Sequence, residues 1–157
     1  MTDKPVPLTK EGLSKIQQEL DFLITVRRPQ IARRIQEAKE LTSAQNNAEY
    51  DDAKNEQAFV EGRILTLERI IQNAVLIDEE VAHHANRVQL GATVTVINQK
   101  GEAEHFTIVG STEANPSEGR ISNESPVGKA LLDKGVGDEV QVTVPAGNFR
   151  FTITAIS

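Results

Sequence analysis

Four side chains have the types that do chemistry on their own: Ser125 as a nucleophile, His105 as a general base, and the adjacent pair His83 and His84 as metal ligands. Each has a plainer explanation. Ser125 lacks the flanking glycines of a nucleophile elbow and stands directly before Pro126, the pattern of a capped helix start with proline in its first turn. His105 lies in an alternating stretch with no evident triad partner. His83 and His84 do not share a helix face and have no acid or thiolate at ligand spacing, so they read as exposed linker residues. With no cysteine in the chain, disulfides, thiol nucleophiles and thiolate metal sites are absent.

A denser group of polar residues surrounds the stretch from Ala38 to Lys54. Apolar residues recur at helical spacing on either side, whereas Thr42 to Asn47 are short polar side chains that compete for backbone hydrogen bonds. The stretch reads as the tip of a helical hairpin, with Asp51 and Asp52 on a solvated helix face. The formal charge of −6 repels nucleic-acid phosphates on average, and one tyrosine, five phenylalanines and no tryptophan leave little on which bases could stack. The same scarcity argues against the aromatic pocket of a proline isomerase. No apolar run is long enough to span a bilayer and no basic-apolar leader is present, so a soluble, cytoplasmic chain without membrane contact is expected.

Two kinds of periodicity divide the 157 residues. After a loose start, Thr9 caps a helix with Glu11 in its first turn, and Leu13, Ile16, Leu20 and Leu23 follow at three- and four-residue steps. Ile24, Ile31, Ile35 and Ala38 continue the stripe with a phase drift around Arg27-Arg28-Pro29, where proline predicts a kink. The return helix carries a seam of Tyr50, Ala53, Gln57, Val60, Ile64, Leu67, Ile71 and Ala74, the spacing of an antiparallel coiled coil. Residues 1–77 thus form a helical hairpin and 78–87, with Asp78-Glu79-Glu80 and the two histidines, a polar linker.

Residues 88–157 switch to period two. Ala92, Val94 and Val96 pair with Phe106 and Ile108 across a turn at Asn98 to Gly101, and a second hairpin joins Gly137–Val144 to Phe149–Ile153. A short helix from Val127 to Leu132 lies between them. The fold class is α+β: a long antiparallel helical hairpin, then a small antiparallel sheet domain closed by one short helix. Polar outer faces on the hairpin argue for a monomer.

These residues carry a resemblance. Asn47-Ala48-Glu49-Tyr50, Ala53-Lys54-Asn55-Glu56-Gln57 and Glu61-Gly62-Arg63-Ile64 are similar to the GreA/GreB family of bacterial transcript-cleavage factors, nearest its GreA branch. Ile121-Ser122-Asn123-Glu124-Ser125-Pro126-Val127-Gly128-Lys129-Ala130-Leu131-Leu132 with Gly137-Asp138 resembles that family's carboxy-terminal signature, and Leu20 to Leu23 with Arg27-Arg28-Pro29 its first helix. The resemblance implies an FKBP-like second domain docking on bacterial RNA polymerase, with Ser122, Ser125 and Pro126 at the contact, while the hairpin enters the secondary channel. It further implies that the factor is not itself an enzyme and binds no stable cofactor. In the family, two tip carboxylates support a magnesium ion in the polymerase's own active site, and the polymerase cleaves the nascent RNA 3′ end of a paused or backtracked elongation complex.

At those two tip positions this chain has Ser43 for aspartate and Asn46 for glutamate. Both keep an oxygen and lose the charge that a hard divalent ion favours. Glu40 and Glu49 match acids that the family pattern carries in addition to the missing pair. Lys39 and Lys54 fall where the resemblance implies contact with the RNA end. Two functions stay open: an elongation factor that stimulates cleavage, or a cleavage-inactive modulator that occupies the channel and competes with other factors there.

Overall fold

The computed structural model describes residues 4–40 and 44–157, with side chains from residue 48 onward in the second span. Two compact units result. Leu13–Asn73 form one; the segment ending at Gly12 joins Ala74–Ser157 in the other.

In the helical unit, α1 (Lys10–Phe22) runs into a π-helical turn at Leu23–Arg27 and on into α2 (Arg28–Glu40). The expected kink at Pro29 is thus replaced by a wide turn immediately before it, sealed by Arg28 N–H donating to the Leu23 carbonyl. A proline ring crowds the carbonyl four residues back and offers no donor, and an added residue per turn relieves both. The turn resets the phase of the later residues by about 100°, and Leu20, Leu23 and Ile24 still pack in the same cluster as Ile31 and Ile35.

The return helix α3 (Ala44–Gln72) spans roughly 44 Å at about 1.5 Å per residue. It starts inside the stretch expected to break helix, because Gln45, Asn46 and Asn47 fall in a first turn, where short polar residues are tolerated. Leu41 to Ser43 lie outside the described residues. Ala53, Val60 and Ile64 are buried against Ile31 and Ile35, and Tyr50 packs beside them. Gln57 interrupts this seam half-buried, its Oε1 accepting from Lys54 Nζ at 3.1 Å. The helix ends before the last predicted seam residue, and Ala74 enters a strand.

Cross-helix ion pairs confirm the antiparallel sense, since their partners descend along α3 as the first strand of the hairpin ascends. Glu19 meets Arg63, Arg28 meets Glu61 through two bonds of 2.8 Å, and Glu56 receives both Arg27 and Arg34. The bond to Glu61 holds the Arg28 guanidinium above its ordinary value, and the bond from Arg28 holds the Glu61 carboxyl below the usual range.

The second unit opens with β1 (Val6–Leu8), which pairs in parallel with β2 (Ala74–Leu76). The expected linker 78–87 instead contains α4 (Glu79–His84), capped by Asp78 through its bond from Val81 N–H at 3.1 Å. Ala82 on this helix is fully buried in the sheet core, so the segment is anchored by packing rather than suspended between domains.

The main sheet contains β3 (Thr93–Ile97), β4 (Ala103–Val109), β5 (Arg120–Ser122), β6 (Glu139–Val144) and β7 (Gly147–Ile156), in the order β5-β4-β3-β7-β6. Its ladders are antiparallel except for β4 with β5. Val94, Val96, Ile108, Val140, Val142, Phe151 and Ile153 line the buried face, which α5 (Pro126–Leu131) covers with Leu131. Phe106 meets Phe151 edge-on at 5.9 Å between ring centres, the arrangement that their quadrupoles favour. A bulge opposite Thr95–Val96 makes Thr154 an extra residue on β7, which shifts the alternation so that Ile156 still turns to the core.

Candidate functional site

Each unit offers one candidate region. On the hairpin, Lys39 lies exposed in the last turn of α2 beside exposed Glu40. Asn46 sits in the first turn of α3 by its backbone, and its side chain lies outside the described set, as does all of Ser43. Lys54 is exposed and bonded to Gln57.

Helix geometry then sorts the neighbouring acids. Glu49, three residues beyond Asn46, shares its face, whereas Asp51 is turned about 140° round the axis and roughly 7 Å along it. Glu49, Asp51 and Asp52 are all exposed. Ser43 and Asn46 are neutral residue types, where a hard divalent ion favours anionic oxygens. Among the described residues no cluster of three acids, histidines or cysteines could hold a metal.

The other region is the corner where β5 turns into α5. The Ser125 side chain caps the helix, accepting from Gly128 N–H at 3.1 Å and donating to the Ser122 carbonyl at 2.7 Å. Both bonds of the hydroxyl serve the helix start, the capping arrangement that Ser125-Pro126 predicts. Pro126 occupies the first turn, exposed. The Ser122 hydroxyl lies 2.7 Å from that of Ser111 and accepts from Glu124 N–H at 3.0 Å, while the Ser111 hydroxyl reaches Glu124 Oε2 at 3.1 Å.

Ser122, Ser125 and Pro126 are therefore gathered on one corner, and Ser111, Glu124 and Gly128 complete it. A Cβ on Gly128 would lie 2.0 Å from the Ser122 carbonyl oxygen, so only glycine lets the helix start sit against the strand end. A glycine within a helix's first turns was the available signal for that close approach. Ser111 belongs to a distant segment and left none.

Two of the three histidines have structural partners. His105 Nδ1 lies 3.0 Å from Thr95 Oγ1 across the β3–β4 ladder, and His83 Nε2 lies 3.2 Å from the Gly91 carbonyl. His84 is exposed. No described helix is long and apolar enough to cross a membrane.

Comparison with known proteins agrees with this two-part layout. The family model described as "Transcription elongation factor, N-terminal" matches residues 6–76, and "Transcription elongation factor, GreA/GreB, C-term" matches 83–157. The chain is 51% identical to transcription elongation factor GreA of Thermoanaerobacter pseudethanolicus, covering 98% of each chain. It is 47% identical to GreA of Bacillus subtilis, covering 99% of this chain and 98% of that one. Among solved structures, the GreA factor homolog 1 (Gfh1) of Thermus thermophilus is 32% identical over 98% of this chain and 99% of the other, with a TM-score of 0.46. The chain belongs to the GreA/GreB family of transcription elongation factors, on its GreA side.

Proposed function

We propose that this chain binds bacterial RNA polymerase, with the β5–α5 corner as its docking surface and the hairpin reaching through the secondary channel toward a paused or backtracked transcript. The observation that carries this reading is the hairpin itself: a 29-residue helix, paired antiparallel along its length and fastened by cross-helix ion pairs, ending in exposed Lys39 and Lys54. Such an arm suits a role inside a narrow passage, where its lysines would meet the phosphates of the RNA 3′ end. The factor contributes no catalytic group of its own and retains no cofactor. Any bond cleavage, and the magnesium it needs, belongs to the polymerase.

A second reading, a channel-occupying modulator that does not support cleavage, is favoured by Ser43 and Asn46. The donor set at the tip lacks the two negative charges that would help hold a magnesium ion in the polymerase. The deciding experiment adds the protein to a backtracked elongation complex with labelled RNA, beside a Ser43→Asp, Asn46→Glu double variant. RNA shortening only with the double variant supports the modulator. Shortening with both supports a working cleavage factor. Failure of either protein to bind the polymerase in a gel shift refutes both readings.

A further inference from the structure

The two-stranded sheet of β1 and β2 has two edges, and only one is protected. Ile77 N–H donates to the Leu8 carbonyl at 2.8 Å, and Pro7 lies opposite Val75. This phase turns the backbone groups of Val75 and Ile77 toward β1 and those of Leu76 away from it. On the outer side of β1, Pro7 has no N–H to offer, and Gly110 sits so near that a Cβ there would come within 2.5 Å of the Pro7 carbonyl oxygen.

The outer side of β2 has no such device. Its sequence, Ala74-Val75-Leu76, contains no proline or charge, and Val75 and Leu76 are 53% and 51% exposed. Among the described residues the outward N–H and carbonyl of Leu76 have no partner. Against this sheet lies a mainly apolar cleft of about 310 Å³, lined by Pro7 of β1 as well as by Val75, Leu76, Ile77, Val81 and Leu90, with Asp78 also in its wall. Immediately past the strand run Asp78, Glu79 and Glu80.

We propose that the β2 edge takes an extended segment of a partner protein as a third strand. Backbone bonds to Leu76 supply the pairing, alternate apolar side chains enter the cleft, and basic residues lie against Asp78–Glu80. Antiparallel addition places those basic residues N-terminal to the apolar ones. A second copy of the chain fits less well, since it would bring two such acidic runs and two net charges of −6 together.

The test is amide exchange by NMR on the full chain with the peptide acetyl-Arg-Lys-Arg-Val-Thr-Val-amide. Saturating peptide should slow the Leu76 amide at least about tenfold while the Ile77 amide, already bonded to Leu8, keeps its rate. A peptide with three glutamates in place of the basic residues should have no effect. Leu76→Pro, which removes the outward donor and leaves the bonds to β1, should abolish the peptide-induced shifts of the neighbouring Val75 and Ile77 amides; Glu80→Lys should weaken the slowing at Leu76. If Leu76→Pro fails to fold, Glu80→Lys and the acidic peptide still decide. An unchanged Leu76 rate with the basic peptide, or equal slowing by both peptides, overturns the proposal. So does slowing that follows protein concentration alone, which would give the edge to a second copy.

Discussion

Glu113 is the best place to test how the start of the chain is fastened to the sheet unit. Its side chain is 8% exposed and accepts three bonds: from Thr9 N–H at 2.7 Å, from the Thr9 hydroxyl at 2.5 Å and from Arg120 Nη2 at 2.9 Å. Thr9 itself is 5% exposed and in turn caps α1 through Gly12 N–H. Glu113→Ala leaves a buried backbone donor unsatisfied, at about 1–3 kcal/mol, and removes the carboxylate from a partly exposed arginine. The loss should total about 3 kcal/mol, which lowers the melting temperature of a unit this size by roughly 12–24 °C. Glu113→Gln keeps an acceptor and should cost less.

Gly12 supplies the decisive control. A Cβ there would lie 2.3 Å from the Glu113 carboxyl carbon, so Gly12→Ala must push the carboxylate off Thr9 and destabilise the protein. In the Glu113→Ala background the obstruction is gone, and the same substitution should stabilise by up to about 1 kcal/mol through helix propensity. Thermal melts and denaturant midpoints of the four proteins measure this reversal of sign. If Gly12→Ala destabilises equally in both backgrounds, the steric coupling between Gly12 and Glu113 is refuted.

Five further outcomes are expected. Ser125→Ala should cost about 1 kcal/mol in denaturant unfolding through its lost cap, and Gly128→Ala about 1–3 kcal/mol through its collision with the Ser122 carbonyl. Ile64→Ala, at a buried seam position, should cost about 2–5 kcal/mol and lower the helical signal in circular dichroism before the sheet melts. Because the Glu61 carboxyl titrates below its ordinary range, its pairing with Arg28 adds stability above about pH 4.3, and that stability fades as the pH falls through the folded value. Both groups are exposed, so a small difference between wild type and Glu61→Gln in urea midpoints should shrink on acidification and in high salt. Deleting Val26 removes the extra residue of the π turn, returns Pro29 to a regular helix interior and rotates Ile31 and Ile35 by about 100°, so it should cost about 3 kcal/mol or more, as judged by thermal circular dichroism.

Local patterns reached far into this fold. Ile31, Ile35, Val60 and Ile64 announce their seam by spacing, and Ser125-Pro126 announces a helix start by capping chemistry, because both signals arise within a few residues of chain. The drift at Arg27-Arg28-Pro29 was visible as well, but a kink and a π turn leave the same trace in one dimension. What escaped depends on partners far along the chain. Val6–Leu8 is too short to show a period and becomes a strand only because Ala74–Leu76 arrives beside it. Asp78–Arg87 looks like a linker by polarity, yet one small residue, Ala82, finds a place in the core. Thr9 and Glu113 are 104 residues apart, a separation over which no side-chain pattern carries information.

The π turn at Leu23–Arg27 also acts as a phase adjuster. In an uninterrupted helix, the direction in which each distal side chain points is dictated by its count from the base. One residue accommodated as a bulge resets that count by about 100° while lengthening the path by only about 1.5 Å. The azimuth of the far end, and with it the direction faced by Lys39, is thereby set separately from the arm's reach. Inserting or removing a single residue there would turn Lys39 and the seam residues Ile31 and Ile35 together, so the turn ties the aim of the tip to the pairing with α3.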